Sequence, residues 1–311
     1  MLVVNSHGSA GFSEWQDLFE AEGSLLEVRD WYDPTVDPLR VKYAMVWQPD
    51  HGRLRRFENL SVIISQAAGV DHLLADPDLP KHVPITRMIT DETAMRMADF
   101  VMMATYAVIR DVPSLSAHQA ARQWNRELVG RIACETTVGV LGVGSLGRPV
   151  CERLLANGFR VRGWSRSGRH IEGMHSHVGH LELDSFLRSS DVVVNLLPNT
   201  SDTHGLINES FLRRMKAGSS LINVGRGTHL VEADLLSMLD ASHIRSAVLD
   251  VFNEEPLSQD NRLWSHPSVM ITPHIASITS RRAKVKQALE VIQCYERGSA
   301  LPHIYDCALG Y

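Results

Sequence analysis

Three polar residues far apart in the chain have side chains suited to reducing a carbonyl: Arg226 in NVGRG, Glu255 in DVFNEEP and His274 in TPHIAS. Hydride arriving at a ketone carbon leaves negative charge on oxygen. An imidazolium, with a reference pKa of ~6.5, is a good proton donor to that oxygen near neutral pH. A carboxylate hydrogen-bonded to the ring favours its charged form and fixes its tautomer. A guanidinium fork suits a substrate carboxylate and polarises the carbonyl beside it. Taken singly, the three read as a surface arginine, a solvated glutamate and a buried, satisfied histidine. Taken jointly, they suit hydride transfer onto a small anionic carbonyl compound.

The elements that must position them are strands. LINV precedes Arg226, AVLDVF precedes Glu255 and VMIT precedes His274. Continuous apolar, β-branched runs separated by helices mark a parallel sheet buried on both faces. Its carboxyl edge is where open α/β sheets bind ligands. The same series contains TVGVLG, FRVRGW and DVVVNLL as strands, with SLGRPVCERLLANG (closed by Gly158), NESFLRRMKAG and VEADLLSMLDAS as helices. The first third forms a smaller α/β unit: strands in LVVNS, LLEVRDW, AMVWQ, SVIISQ and PITRM, and a helix in EWQDLFEAE. Between the two lies a long Met- and Ala-rich helix from Asp91 to Val112, with Asp91 as its N-cap and Pro113 just past its end. ITSRRAKVKQALEVIQCYERG reads as one long closing helix.

TVGVLGVGSLGRPV carries Gly142, Gly144 and Gly147 in G-x-G-x-x-G spacing, after a strand and opening a helix, with Ser145 and Leu146 inside the loop. The first glycine makes the turn, the second admits a pyrophosphate and the third lets helix and strand pack closely. The helix N-terminus offers N–H groups to the phosphates, and Pro149 in its first turns costs little. After the next strand come Ser165, Arg166 and Ser167, with no acidic residue at the strand end. A carboxylate there would repel a 2′-phosphate, whereas Arg166 can bind one and Ser165 can add a hydroxyl. NADPH is therefore expected, with NADH possible and weaker. Just beyond, His170, His175, His177 and His180 suggest a metal, but the segment reads as a loop with incidental histidines, and no metal is expected.

The chain's 311 residues suffice for two domains, and a composition of 44% apolar and 22% charged residues is ordinary for a globular protein. A net charge of -5 gives no basic field for nucleic acid or membrane surface. The RLRR run at 53–56 reads as a solvated helix face. No stretch is long and apolar enough to span a bilayer, and MLVVNSHGSAGF reads as a first strand and not a signal peptide. Cys134, Cys151, Cys294 and Cys307 show no paired spacing, which points to reduced, packed thiols and a cytoplasmic setting.

With VWQP, AAGVD, DETAMRMAD, LGVGSLG, WSR, LLPNT, LINVGRGTHLVEADLL, DVFNEEPL, LWSHP, ITPHIASIT and a terminal GY, the chain resembles the D-2-hydroxyacid dehydrogenase family over essentially its full length. More narrowly, it resembles the glyoxylate/hydroxypyruvate reductase branch that prefers NADPH. The resemblance implies an α/β fold of two doubly wound parallel-sheet domains. A Rossmann cofactor domain (98–275) would be inserted into a discontinuous flavodoxin-like substrate domain (1–97 and 276–311). It further implies a homodimer supported by the region of the long helix, and a small 2-oxo acid as substrate. By the same match Arg226 orients substrate, Glu255 tunes the acid and His274 donates the proton. Gly69 and Val70 would offer N–H groups to the substrate carboxylate, and Trp47 would wall the pocket or serve as a core aromatic. Leu197, Pro198, Val224 and Gly225 would line the cofactor groove. Asp250 would accept from the nicotinamide carboxamide or cap a helix or a turn. Two departures stand out: Gly225 where many members carry Ala, which would loosen the backbone beside Arg226, and Asp99 where glutamate is common. Other readings are a reductase for a bulkier 2-oxo acid and a dinucleotide-sensing, corepressor-like protein.

Overall fold

The computed structural model describes residues 1–5 and 11–310. Part of the expected first strand segment and the last residue of the GY ending lie outside them. The chain forms two compact units, residues 1–93 with 279–311, and residues 94–278.

The first unit holds a parallel sheet of β1 (Leu2–Val4), β2 (Val28–Asp30), β3 (Tyr43–Val46), β4 (Val62–Ser65) and β5 (Ile85–Thr86) in the order β2-β1-β3-β4-β5. Successive residues of these strands feed two cores. Leu2, Val4, Tyr43, Met45, Val62 and Ile64 pack with helices α1 (Phe12–Ala21) and α9 (Arg281–Glu296). Val3, Ala44, Val46 and Ile63 face the other way, onto Trp31, Leu54 and Leu73 of the flank that carries α2 (Asp71–Leu74). Both faces being apolar is why these strands lack polar alternation. Ser280 caps α9, its hydroxyl accepting the Ala283 N–H.

The RLRR run departs from the expected solvated face. Arg55 and Arg56 are exposed, but Leu54 is buried and the Arg53 guanidinium stacks 4.8 Å from the Trp31 ring centroid.

The long helix α3 covers Asp91–Ile109, and its cap is Thr90, not Asp91. Thr90 Oγ1 accepts the Thr93 N–H at 3.0 Å and Thr93 Oγ1 accepts the Thr90 N–H at 3.2 Å, a reciprocal cap. Asp91 sits inside the first turn, where its charge favours the helix dipole. Pro113 lies past the end of α3, which stops at Ile109 and not at Val112. It sits in the first turn of a further helix, α4 (Val112–Ala120), after Asp111 turns the chain with φ 57°.

The second unit holds β6 (Thr137–Leu141), β7 (Arg160–Ser165), β8 (His175–Val178), β9 (Val192–Asn195), β10 (Ser219–Asn223), β11 (Ile244–Leu249) and β12 (Val269–Ile271). Their order is β12-β11-β10-β9-β6-β7-β8, with parallel pairing throughout. The direction of winding reverses between β6 and β9, where doubly wound sheets bind dinucleotides. Val138, Val140, Val192, Val194, Ile222 and Val248 feed one core with α5 (Gly147–Ala156); Leu141, Val193, Leu221, Ala247 and Leu249 feed the other. Helices α6 (Leu183–Arg188), α7 (Glu209–Arg214) and α8 (Glu232–Asp240) close that second face.

β8 corrects an expectation. The His170–His180 segment is not simply a loop: it contributes the edge strand beside β7. His177 is buried there, taking an Arg162 N–H on Nε2 at 3.2 Å and facing Ser185 Oγ from Nδ1 at 3.2 Å. Among the described residues no group of three His, Cys, Asp or Glu could hold a metal, and no helix is long and apolar enough to cross a membrane. Of the cysteines only Cys151 is buried; Cys134 and Cys307 are exposed, contrary to the expected packed thiols.

Candidate active site

The glycine loop joins β6 to α5 at the point where the winding reverses. Gly142 has φ 94°, and a Cβ there would lie 2.7 Å from Leu196 O. A Cβ on Gly147 would lie 1.9 Å from Gly142 O, so strand and helix touch through bare backbone. Around Gly144 a Cβ would meet nothing within 4 Å, and both Gly144 and Ser145 are exposed. Two glycines thus serve internal packing, while the middle one opens on empty space before a helix N-terminus. This cradle fits a dinucleotide pyrophosphate. At the end of the adjoining strand, Arg166 and Ser167 are exposed. The Ser165 hydroxyl is instead shielded and without a hydrogen-bond partner, so it must rotate before it can serve as the expected donor to a phosphate.

Arg226, Glu255 and His274 follow β10, β11 and β12, neighbours in the sheet. His274 Nδ1 donates to Glu255 Oε2 at 2.7 Å. Glu255 Oε1 accepts the Phe252 N–H at 2.9 Å, which turns the carboxylate back over its own loop. Burial opposes ionisation of Glu255, but the hydrogen bonds from His274 and the Phe252 N–H, with the charges of His274 and Arg226, outweigh it and hold the pKa below the ordinary value. The field of Arg226 therefore reaches the pair. Its loop also touches theirs: a Cβ on Gly227 would fall 1.8 Å from Phe252 C, so only glycine lets the two backbones meet.

His274 sits in the left-handed region, φ 54°, which a non-glycine residue adopts only when its surroundings enforce it. Asp250 enforces it. Its carbonyl accepts the His274 N–H at 2.8 Å, its Oδ1 accepts Thr272 Oγ1–H at 2.6 Å and the Ile275 N–H at 2.9 Å, and its Oδ2 accepts the Ala276 N–H at 2.9 Å. Of the two readings open for Asp250, this geometry is that of the turn cap.

Gly225 does not loosen the backbone beside Arg226. It is buried, its N–H donates to Asn223 Oδ1 at 3.3 Å, and a Cβ there would come within 2.9 Å of Asn195 Nδ2 and 3.1 Å of His229 Nδ1. Val224 and Leu197 are buried at the carboxyl ends of their strands, with Pro198 half-buried beside Leu197. Asp99 pairs with Arg153. In the first unit, Trp47 is half-buried and its ring centroid lies 4.2 Å from that of His72, while Gly69 and Val70 lead into α2.

The profile of the D-isomer specific 2-hydroxyacid dehydrogenase NAD-binding domain matches residues 101–276. The chain belongs to the D-isomer specific 2-hydroxyacid dehydrogenase family. Curated members include glyoxylate/hydroxypyruvate reductase A of Serratia proteamaculans, 35% identical with 100% of both chains covered. The enzyme of the same name from Yersinia enterocolitica is 32% identical over the same extent. Among solved structures, a family member from Xanthobacter autotrophicus Py2 in complex with NADPH and MES superposes with a TM-score of 0.94 at 38% identity, covering 100% of this chain and 99% of that one. The NADPH-dependent glyoxylate/hydroxypyruvate reductase of Sinorhizobium meliloti, in complex with NADP and sulfate, gives 0.91 at 36% identity, with 100% and 99% covered. Family membership makes the chain an NAD(P)-dependent oxidoreductase of the 2-hydroxyacid type.

Sequence reasoning missed the residues that hold the reacting loops. Glu232 accepts the N–H and Nδ2–H of Asn253 on Oε1, at 3.1 and 3.3 Å, and the Nδ2–H of Asn261 on Oε2 at 3.1 Å, so it pins the loop that carries Glu255. Asn195, Asn223 and His229 form a fully buried polar cluster under Arg226. Asn195 and Asn223 have one signal in the sequence, a polar residue at the carboxyl end of an apolar strand, whereas His229 lies past β10 and has none.

Proposed function

We propose that this chain reduces small 2-oxo acids, glyoxylate to glycolate and hydroxypyruvate to D-glycerate, using NADPH. When bound, the reduced nicotinamide supplies a hydride to C2 of the substrate. As the C–H bond forms, the carbonyl π pair moves onto oxygen. His274 Nε2–H gives its proton to that oxygen, and solvent later restores it. Glu255 holds Nδ1, stabilises the imidazolium and aims the ring. Arg226 binds the substrate carboxylate and polarises the carbonyl.

The observation that carries this reading is the 2.7 Å bond between His274 Nδ1 and Glu255 Oε2, with the charge of Arg226 helping to lower the pKa of that glutamate. The names of the curated relatives and the nucleotides in the related crystal structures support the choice of substrate and cofactor. Arg166, exposed just past β7 in a Ser-Arg-Ser stretch that holds no acidic residue, supports NADPH over NADH. A homodimer is part of the same proposal. Val112 and Leu115 on α4, with Trp124 and Val129 beyond it, are large apolar side chains left exposed, Trp124 by 89%. Sedimentation at micromolar concentration reads the mass directly.

The test is an initial-rate comparison of glyoxylate, hydroxypyruvate, pyruvate and phenylpyruvate, each with NADPH and NADH. The reading predicts the highest kcat/KM for the first two with NADPH. A preference for phenylpyruvate would move the chain to bulkier 2-oxo acids. Tight NADPH binding without turnover on any of them would favour a dinucleotide sensor.

A further inference from the structure

Asn195 closes β9 and Asn223 closes β10, and the two are register partners across the sheet. With His229 they are fully buried. Polar groups so placed are costly unless paired, and the two asparagine amides and His229 Nδ1 are paired directionally. Asn195 Nδ2 donates one hydrogen to Asn223 Oδ1 at 2.8 Å and the other to His229 Nδ1 at 2.9 Å. Asn195 Oδ1 accepts the Leu197 N–H at 3.2 Å. That pattern assigns the orientation of the amide and makes Nδ1 of His229 an acceptor, which puts the ring proton on Nε2, a buried atom that makes no hydrogen bond.

Asn223 then brackets Arg226. Its Oδ1 accepts the Gly225 N–H at 3.3 Å and its Nδ2 donates to the Arg226 carbonyl at 3.1 Å. The His229 N–H donates to the same carbonyl at 3.3 Å, and Arg226 itself donates from its guanidinium to Gly225 O at 2.8 Å. The chain on both sides of Arg226 is thereby tied to one side chain, and that side chain is oriented by Asn195 and His229.

We propose that Asn195, Asn223 and His229 are positioning residues for Arg226: their buried network sets the direction of its guanidinium, and through the Leu197 N–H it couples that direction to the segment lining the cofactor groove. The inference rests on the reading of Arg226 as the group that binds the substrate carboxylate. Gly225 belongs to the device, because a Cβ there would press on the Asn195–His229 bond. A binding group displaced by a fraction of an ångström loses much of its effect. The network therefore acts on KM for the oxo acid more than on NADPH affinity.

The experiment uses the full chain with glyoxylate and NADPH. Asn223→Ala should raise KM for glyoxylate by about tenfold or more, with NADPH Kd changed less than about twofold. His229→Leu, which removes the acceptor, should raise KM in the same direction, and His229→Asn, which restores an oxygen near the position of Nδ1, should return it toward wild type. Melting temperatures identify the folded variants, and the His229 pair carries the test where Asn223→Ala does not fold. Folded variants with unchanged KM overturn the proposal. So does a KM that follows the loss of stability in His229→Leu and His229→Asn alike, with no rescue. Arg226→Ala separates the two layers. If it leaves KM unchanged, the reading of Arg226 fails and this inference falls with it; if it raises KM while Asn223→Ala and His229→Leu do not, only the positioning role fails.

Discussion

His274 Nδ1 donates to Glu255 Oε2 across 2.7 Å, and that bond leaves Nε2 as the ring nitrogen able to give a proton to substrate. General acids of this kind contribute about 10²- to 10⁴-fold. His274→Ala should therefore lower kcat by about 10²-fold or more at saturating glyoxylate and NADPH. Equilibrium binding of NADPH, followed by fluorescence, should change little. Wild-type turnover in this variant would remove His274 from the mechanism.

The depressed pKa of Glu255 has a consequence for stability. Burial pushes it up, and the bonds from His274 and Phe252 with the nearby positive charges push it further down. A carboxyl whose folded pKa lies below its unfolded value, about 4.3, stabilises the fold fully above that value. The stabilisation is lost as pH falls toward and through the folded pKa. The stability difference between wild type and Glu255→Gln, measured by urea denaturation, should be largest from pH 5 upward and shrink below about pH 4. A difference that grew on acidification would contradict the assigned direction.

In the proposed function Arg166 binds the 2′-phosphate of NADPH, and a hydrogen bond to a charged group is worth about 1.5–3 kcal/mol. Arg166→Ala should cut the ratio of kcat/KM for NADPH to that for NADH by about 10- to 100-fold. The NADH value itself should stay near wild type. Equal loss with both cofactors would mean that the arginine supports the loop and does not select the ribose.

Gly144 and Gly147 separate ligand space from packing space. A Cβ at position 147 would lie 1.9 Å from Gly142 O, a backbone atom that cannot swing aside, whereas at position 144 it meets nothing. Gly147→Ala should destabilise the chain by about 1–3 kcal/mol, the usual cost of overpacking. Gly144→Ala should leave the melting temperature unchanged and weaken NADPH binding by about tenfold, as expected where a methyl group intrudes on a bound phosphate. Normal NADPH affinity in Gly144→Ala would place the pyrophosphate elsewhere.

Much of the fold was legible because its strands are buried on both faces. Runs such as DVVVNLL and SLINV have no polar alternation to disguise them, and the glycine spacing marks where the winding reverses. β8 was illegible for the opposite reason. As an edge strand it alternates polar histidines with Ser176 and Val178, and HSHV has no apolar run to find. The cap of α3 was misplaced by one residue because Asp91 and Thr90 are both good cap types, and only the reciprocal bond with Thr93 chooses between them.

Residue types read along the chain show the kinds of chemistry on offer: a guanidinium, a carboxylate and an imidazole, each after an apolar strand, and a glycine loop before a helix. Side-chain type and strand order are local properties, and local properties can be read along a line. It took the folded chain to show that Glu255 reaches Nδ1, that Asp250 holds His274 at a positive φ, and that Asn223, steadied by Asn195 and His229, brackets Arg226. Those facts depend on directional hydrogen bonds between residues distant in sequence, and a direction exists only once parallel strands have set their ends side by side.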